Sequence, residues 1–397
     1  MSSTHPTRRR LLAGGVVAVA AAVVAGVLVF ARDGGAPPAP AAAPAAAPAA
    51  EPVVAGTSNC GKGWAPHAGD QTVQVVNRGT AATDVEVVAI PSGAVHGELE
   101  GLGAGLTRPL RVVLGGGDYA IRCGVEDVSP ITGPVVHVAG PPGPAGVVPV
   151  TANDLAGPLE QYTGYVTTGL TTLVRRTTEL RDAVRAGDLG KARSAWLPAH
   201  LAYVRLGAAY GAFGDADGAI DGDPGGLPRG VADPGFTGFR RLEHGLWHGQ
   251  SAKQLTPVAD KLAADVAALR KSFPRSQIDP RDLGLRAHEI FEDVDRETLT
   301  GGADQGSHSE LAEVAASLDA TKELVGVLRL VLTTRYPRLS EVDSGMARLA
   351  SLLAGLRPYR PLGSLPRADR ARLNGSVGDL VEKLAPIAVI CAPRRTS

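Results

Sequence analysis

Apolar and polar positions alternate along this chain in three different rhythms. An uncharged, mostly apolar run from Leu11 to Phe30 follows Arg8, Arg9 and Arg10; its length is about what a helix needs to cross a hydrocarbon core. Residues 1–35 are therefore expected to be a signal peptide or a membrane anchor, tied to the cytoplasmic membrane, with the Thr7–Leu12 segment resembling a twin-arginine export signal. Residues 36–52 are nearly all Ala and Pro and read as a spacer. From 53 to 140 the rhythm becomes short β-branched runs split by Gly and Pro, which predicts strands over 72–76, 85–90, 111–114, 119–122 and 135–138. Gly140–Pro144 opens a second linker, 141–150, and the remainder, 151–392, repeats apolar residues at helical steps: Leu159, Tyr162, Val166, Leu170, Leu173, Leu180 and Val184 share one face. Similar stretches are expected over 192–213, 238–247, 252–273, 285–299, 310–332, 341–356 and 369–389. The fold class expected is α+β multidomain: an N-terminal β-sandwich followed by an all-α helical bundle.

Composition narrows the function. The 397 residues carry 40 basic and 40 acidic side chains, so there is no basic surplus with which to bind nucleic acid. The chain's three cysteines, Cys60, Cys123 and Cys391, exclude a disulfide-dense scaffold or a multi-cysteine zinc module. Export to an oxidising compartment favours a Cys60–Cys123 bridge; the alternative is a second metal site using those thiols with Asp118, Asp84 or Glu86. A type-1 copper centre is disfavoured, because no histidine closely follows Cys123 and the chain's methionines are Met1 and Met346. Cys391 reads as a buried, inert thiol.

In the helical part, the run from Asp215 to Asp223 is read as an acidic loop between two helices, its carboxylates suited to hard cations but not in EF-hand spacing. On the next helix Arg240 and Glu243 share a face at a spacing of three, and His244 and His248 share another at a spacing of four. Neither this helix nor His288–Glu292 completes a zinc-peptidase motif.

The segment Ala232–Glu243 (ADPGFTGFRRLE), preceded by Asp217–Asp221 and followed by Ser307–Leu311 (SHSEL), resembles the imelysin-type domain of the EfeO family. The β domain, with Cys60 early and Asp118–Gly124 late in it, resembles the cupredoxin-like domain that precedes the helical domain in that family. The resemblance implies an extracytoplasmic component of an iron uptake system that binds iron, with copper or zinc as a second metal, and hands its cargo to a membrane iron permease in a system that also includes a haem-type peroxidase. It implies no catalysis; metallopeptidase activity rests on a historical association alone. The family motif in the helical domain is His-x-x-Glu. Here the glutamate is Glu243 but the histidine position holds Arg240, and a guanidinium has no lone pair to give a cation. The candidate ligands are Glu243, Asp217, Asp221, Glu292 and His308. The alternative is a metal-free accessory or docking protein of the same system, with Arg240 paired to Glu243.

Overall fold

The computed structural model describes residues 51–56, 58–125 and 128–394. The expected signal or anchor, and all but the end of the Ala/Pro spacer, lie outside the described residues. Among the described residues no helix is long and apolar enough to cross a membrane.

The β part is a sandwich of two sheets. In the first, β1 (Val53–Ala55) runs parallel to β2 (Gly69–Asn77), which pairs antiparallel with β5 (Thr107–Leu114). In the second, β3 (Thr83–Ala89) lies between β4 (Val95–Leu102) and β6 (Gly117–Val125), and β6 also pairs with β7 (Ile131–Thr132) and β8 (Val136–Val138). Alternation decides the inner faces: Val73 and Val75 of β2, Leu110, Val112 and Leu114 of β5, Val85 and Val87 of β3, and Tyr119, Ile121 and Cys123 of β6 form one core. Cys60 and Cys123 are joined in a disulfide inside that core. β4 was absent from the expected strands because Gly97, Gly101, Glu98 and Glu100 are poor strand formers. The reason for Gly97 is spatial: a Cβ there would come within 2.4 Å of Val112 in the facing sheet.

The outer face of the second sheet is unusually closed. Glu86 and Arg122, which alternate with core residues on β3 and β6, are buried and paired at 2.6 Å. Arg394, near the end of the chain, donates to both oxygens of Glu98 and lies 3.6 Å from Glu86. Residues of the 141–150 segment are pinned as well: Val147 bridges to Val95, and the Arg335 guanidinium donates to the carbonyls of Val148 and Pro149.

The helical part begins with α1 (Ala152–Arg185), started by a reciprocal cap in which Thr151 and Asp154 satisfy each other's backbone N–H groups. It packs along α2 (Leu189–Val204) and α6 (Ala252–Ser272). Two expectations fail in the region between. The single helix expected over 192–213 breaks after Val204 and resumes as a one-turn α3 (Tyr210–Phe213). The expected acidic loop is instead a short helix, α4 (Asp215–Asp221), which Gly214 opens at φ +57°. Asp215 and Asp217 sit in its first turn, where the helix dipole favours negative charge. Next come α5 (Gly238–Trp247), α7 (Pro280–Asp293), α8 (Glu310–Val327), α9 (Arg329–Thr333), α10 (Leu339–Gly355) and α11 (Arg367–Ile390). α7 does not run on as an α-helix to Leu299; a π-helical turn, Val294–Thr298, replaces its end.

α4 and α5 are latched end to start. Thr237 donates its hydroxyl to the Ala219 carbonyl at 2.9 Å, and Gly238, at φ +79°, lies so close that a Cβ would meet the Ile220 carbonyl oxygen at 2.1 Å. This contact holds Asp217 and Asp221 beside the first turn of α5. Gly238→Ala is expected to lower stability by roughly 2 kcal/mol or more through left-handed strain and backbone collision, whereas Gly218→Ala, with open space around it, should gain up to about 1 kcal/mol from helix propensity. Thermal denaturation of the two variants checks the pair, and equal melting temperatures would refute the latch.

Candidate functional site

α5 is amphipathic, and its buried face carries Phe239, Leu242 and Leu246 together with Arg240 and Glu243. A guanidinium can be buried only where carboxylates replace its water. Arg240 meets three. Its Nη1 and Nη2 donate to the two oxygens of Glu313 on α8 at 3.2 and 2.8 Å. Nη1 also lies 3.4 Å from Glu243, and Nε lies 3.7 Å from Asp221. Burial alone would lower the Arg240 pKa, but Glu313, Asp221 and Glu243 hold it well above its ordinary value.

Each carboxylate has its own support. Glu243, fully buried, accepts the backbone N–H groups of Gln305 and Ser307, both at 3.0 Å, and the Ser307 hydroxyl at 2.6 Å. Burial nevertheless pushes its carboxyl above the ordinary range against the pull of Arg240 and Ser307. Glu313 accepts the Ser309 hydroxyl at 2.7 Å. Burial pushes Glu313 up too, but Arg240 and His200 overcome it and leave the group at about 2. His200, stacked on Trp196 of the same helix and against Phe239, contacts Asp221 at 3.0 Å through Nε2. The other oxygen of Asp221 is buried without a hydrogen-bond partner.

This network forms one wall of a cavity of about 530 Å³. Asp217, Asp221 and Glu313 line it, with Asp293 and Glu297 from the end of α7 and the π turn, so five carboxylates face it against the two guanidinium groups of Arg240 and Arg286. The π turn matters because one extra residue per turn re-aims side chains relative to the helix before it. Tyr203 donates its hydroxyl to Asp217 and stacks on Tyr210 at 4.9 Å, a pairing made by the break between α2 and α3. Burial pushes Asp217 and Glu297 up, as it does Tyr203 and Tyr210, which stay protonated donors. Chemically this is a set of hard oxygen donors with excess negative charge and a resident, non-ligating cation at one side.

Of the five candidate ligands, Asp221 and Glu243 meet at Arg240, Asp217 lines the cavity where Tyr203 holds it, and two do not join them. Glu292 points away from the cavity and pairs with His288 at 3.4 Å and Arg296 at 3.8 Å; its neighbour Asp293 is the residue that lines the cavity. His308 lies in the loop before α8 beside Asp304 and Glu310. Residues not anticipated are His200, Tyr203, Glu313, Asp293 and Glu297. His200 was visible as a histidine between Trp196 and Tyr203 at helical spacing, and Glu313 as a carboxylate inside the apolar run from Leu311 to Leu318.

In the sandwich the thiols of Cys60 and Cys123 are consumed by their disulfide and are not available as thiolate ligands for copper or zinc. Asp118 pairs with His137 at 2.7 Å on an exposed edge, and Glu86 with Arg122. His244 and His248 stack ring on ring at 4.2 Å. Cys391 is buried, and burial pushes its thiol up to about 12, in keeping with an inert role.

The Arg240–Glu313 pair has a pH signature. Because the folded-state pKa of Glu313 is about 2 against an ordinary 4.5, its stabilisation is complete above pH 4.5 and is lost as pH falls toward 2. Glu313→Gln should cost roughly 3–5 kcal/mol at neutral pH, as expected for a buried pair that loses one partner. The gap to the unaltered protein should narrow as denaturation is repeated at successively lower pH below 4.5; a gap that stays constant would disprove the assignment.

Comparison with known proteins agrees with this architecture. The imelysin family model (Peptidase_M75) matches residues 158–387. The protein named iron uptake system component EfeO from Yersinia pseudotuberculosis serotype I (strain IP32953) is 32% identical over 294 residues, which cover 73% of this chain and 77% of that protein. Its namesake from Escherichia coli O157:H7 is 29% identical over 296 residues, covering 73% and 78%. With the family model spanning more than half the chain and a relative 32% identical over 73% of it, the chain belongs to the imelysin family as an EfeO-type protein.

Proposed function

We propose that this protein is an extracytoplasmic component of an iron uptake system, that it takes iron as cargo in the cavity beside α4 and α5, and that it delivers the metal to a membrane permease. The relatives' name supports the system. The observation that carries the binding step is the cavity, where five carboxylates face two guanidinium groups. Oxygen donors of this kind suit hard or borderline cations. Asp217, Asp221, Asp293 and Glu297 are the donors offered, since Glu243 and Glu313 already bracket Arg240. The Asp221 Oδ1 makes no hydrogen bond but lies 3.7 Å from Arg240 Nε, so a cation taken there competes with the guanidinium for it.

The bidentate Arg240–Glu313 pair favours a second reading, a metal-free docking component of the same system, since it sets a guanidinium where the family motif has a histidine. A haem-type peroxidase is a further partner suggested by the family. Peptidase chemistry, which needs an activated water with a base beside it, is not proposed.

The two readings part on one titration. Under the first, the full chain binds iron(II) supplied anaerobically, Asp221→Asn weakens binding roughly tenfold or more, and Arg240→His tightens it by removing a positive charge. Under the second, the unaltered chain shows no iron binding that Asp221→Asn removes, and Arg240→His creates such binding. Absence of binding in both proteins would remove the cargo role altogether.

A further inference from the structure

We propose a second divalent-cation site, separate from the cavity, formed by Asp304, His308 and Glu310 where the loop enters α8. One ligand atom from each of the three lies within 4.8 Å of the others. On a four-coordinate ion with bonds of about 2.0–2.2 Å such atoms sit roughly 3.4 Å apart, so a small inward adjustment suffices.

The independent sign of a missing ligand is Glu310. The residue is only 7% exposed, and its Oε2 is buried with no hydrogen-bond partner. A carboxylate oxygen buried without a hydrogen bond is costly, and a cation beside it offsets that cost. Asp304 is held ready by the backbone: its Oδ1 accepts the His308 N–H at 2.7 Å and its Oδ2 the Gly306 N–H at 3.1 Å. These bonds orient the carboxylate as outer-shell donors orient metal ligands. Its Oδ2 also lies 3.1 Å from the His308 ring, a contact that a bound cation would replace. The loop is shaped for this by Gly306 at φ +123° and by His308, which is left-handed at φ +56°.

Charge agrees. Among the described residues neither Asp304 nor Glu310 is in an ion pair with Lys or Arg, unlike the cavity carboxylates around Arg240. The N-terminus of α8 opposes a cation with about half a unit charge, which two carboxylates outweigh. The His308 side chain is 57% exposed, leaving an entry path and room for water to complete the coordination shell. One imidazole with two carboxylates suits a borderline cation such as zinc(II) or iron(II) over calcium or magnesium.

The test is zinc(II) calorimetry on the full chain, on His308→Ala and Glu310→Gln, and on Asp221→Asn as the cavity control. The site predicts that the first two variants lose one zinc equivalent or bind it at least tenfold more weakly, while Asp221→Asn keeps it. Zinc isotherms unchanged in both His308→Ala and Glu310→Gln, or no zinc uptake by the unaltered chain, would overturn the proposal. His308 is exposed, so its variant decides the matter even where Glu310→Gln fails to fold. A loss confined to Asp221→Asn would place all zinc in the cavity and equally refute a second site.

Discussion

The helical domain is organised around one buried positive charge. Arg240 sits among Glu313, Glu243 and Asp221, and each element that brings a partner is fixed by that requirement. Two glutamates buried this deeply could not both ionise without a cation between them, because desolvation and mutual repulsion act in the same direction. A metal ion held by a His-x-x-Glu pair would supply that cation reversibly. A guanidinium supplies it permanently, and the bidentate bond to Glu313 fixes its plane. The cation that these carboxylates require is thus part of the covalent chain.

That arrangement explains why burial alone does not rank the carboxylates. Glu313 and Glu243 are both buried on the same guanidinium, yet Glu313 is held at about 2 while Glu243 is pushed up. Glu313 has the shorter, two-pronged contact with Arg240 and His200 close by. Glu243 has one longer contact with Arg240 and depends on the loop from Gln305 to Ser307 for its other hydrogen bonds.

What could be read from the chain in advance follows the range of each interaction. The strand-to-helix division, the extent of α5 and the spacing that puts Arg240 and Glu243 on one face are local, and periodicity carried them. The Cys60–Cys123 bridge was one of two open readings, which only coordinates could separate. Glu313 meets Arg240 across 73 positions, and no spacing rule reaches so far. Gly and Asp signal turns, so the acidic run reads as a loop; Gly214 instead supplies the turn, and Asp215 and Asp217 form the favourable first turn of α4. β4 was missed for a related reason: Gly97 reads as a strand breaker, and its purpose, close approach of the facing sheet, exists only in three dimensions.

The same reasoning bears on how the β-sandwich is attached. Buried charges recur at the join, where Arg122 and Arg394 answer Glu86 and Glu98. Such pairs add little net stability compared with apolar packing, since desolvation offsets most of their attraction. What they add is register: a guanidinium fork accepts one orientation of its carboxylate, whereas a greasy contact tolerates sliding. Arg394 lies beyond α11 and holds the far end of the chain against β4, next to the bridge between Val150 and Pro393. The sandwich is thus fastened at both ends of the helical sequence, through the segment entering α1 and the segment leaving α11. Any tilt of one part against the other must break a directional charge pair before it can begin.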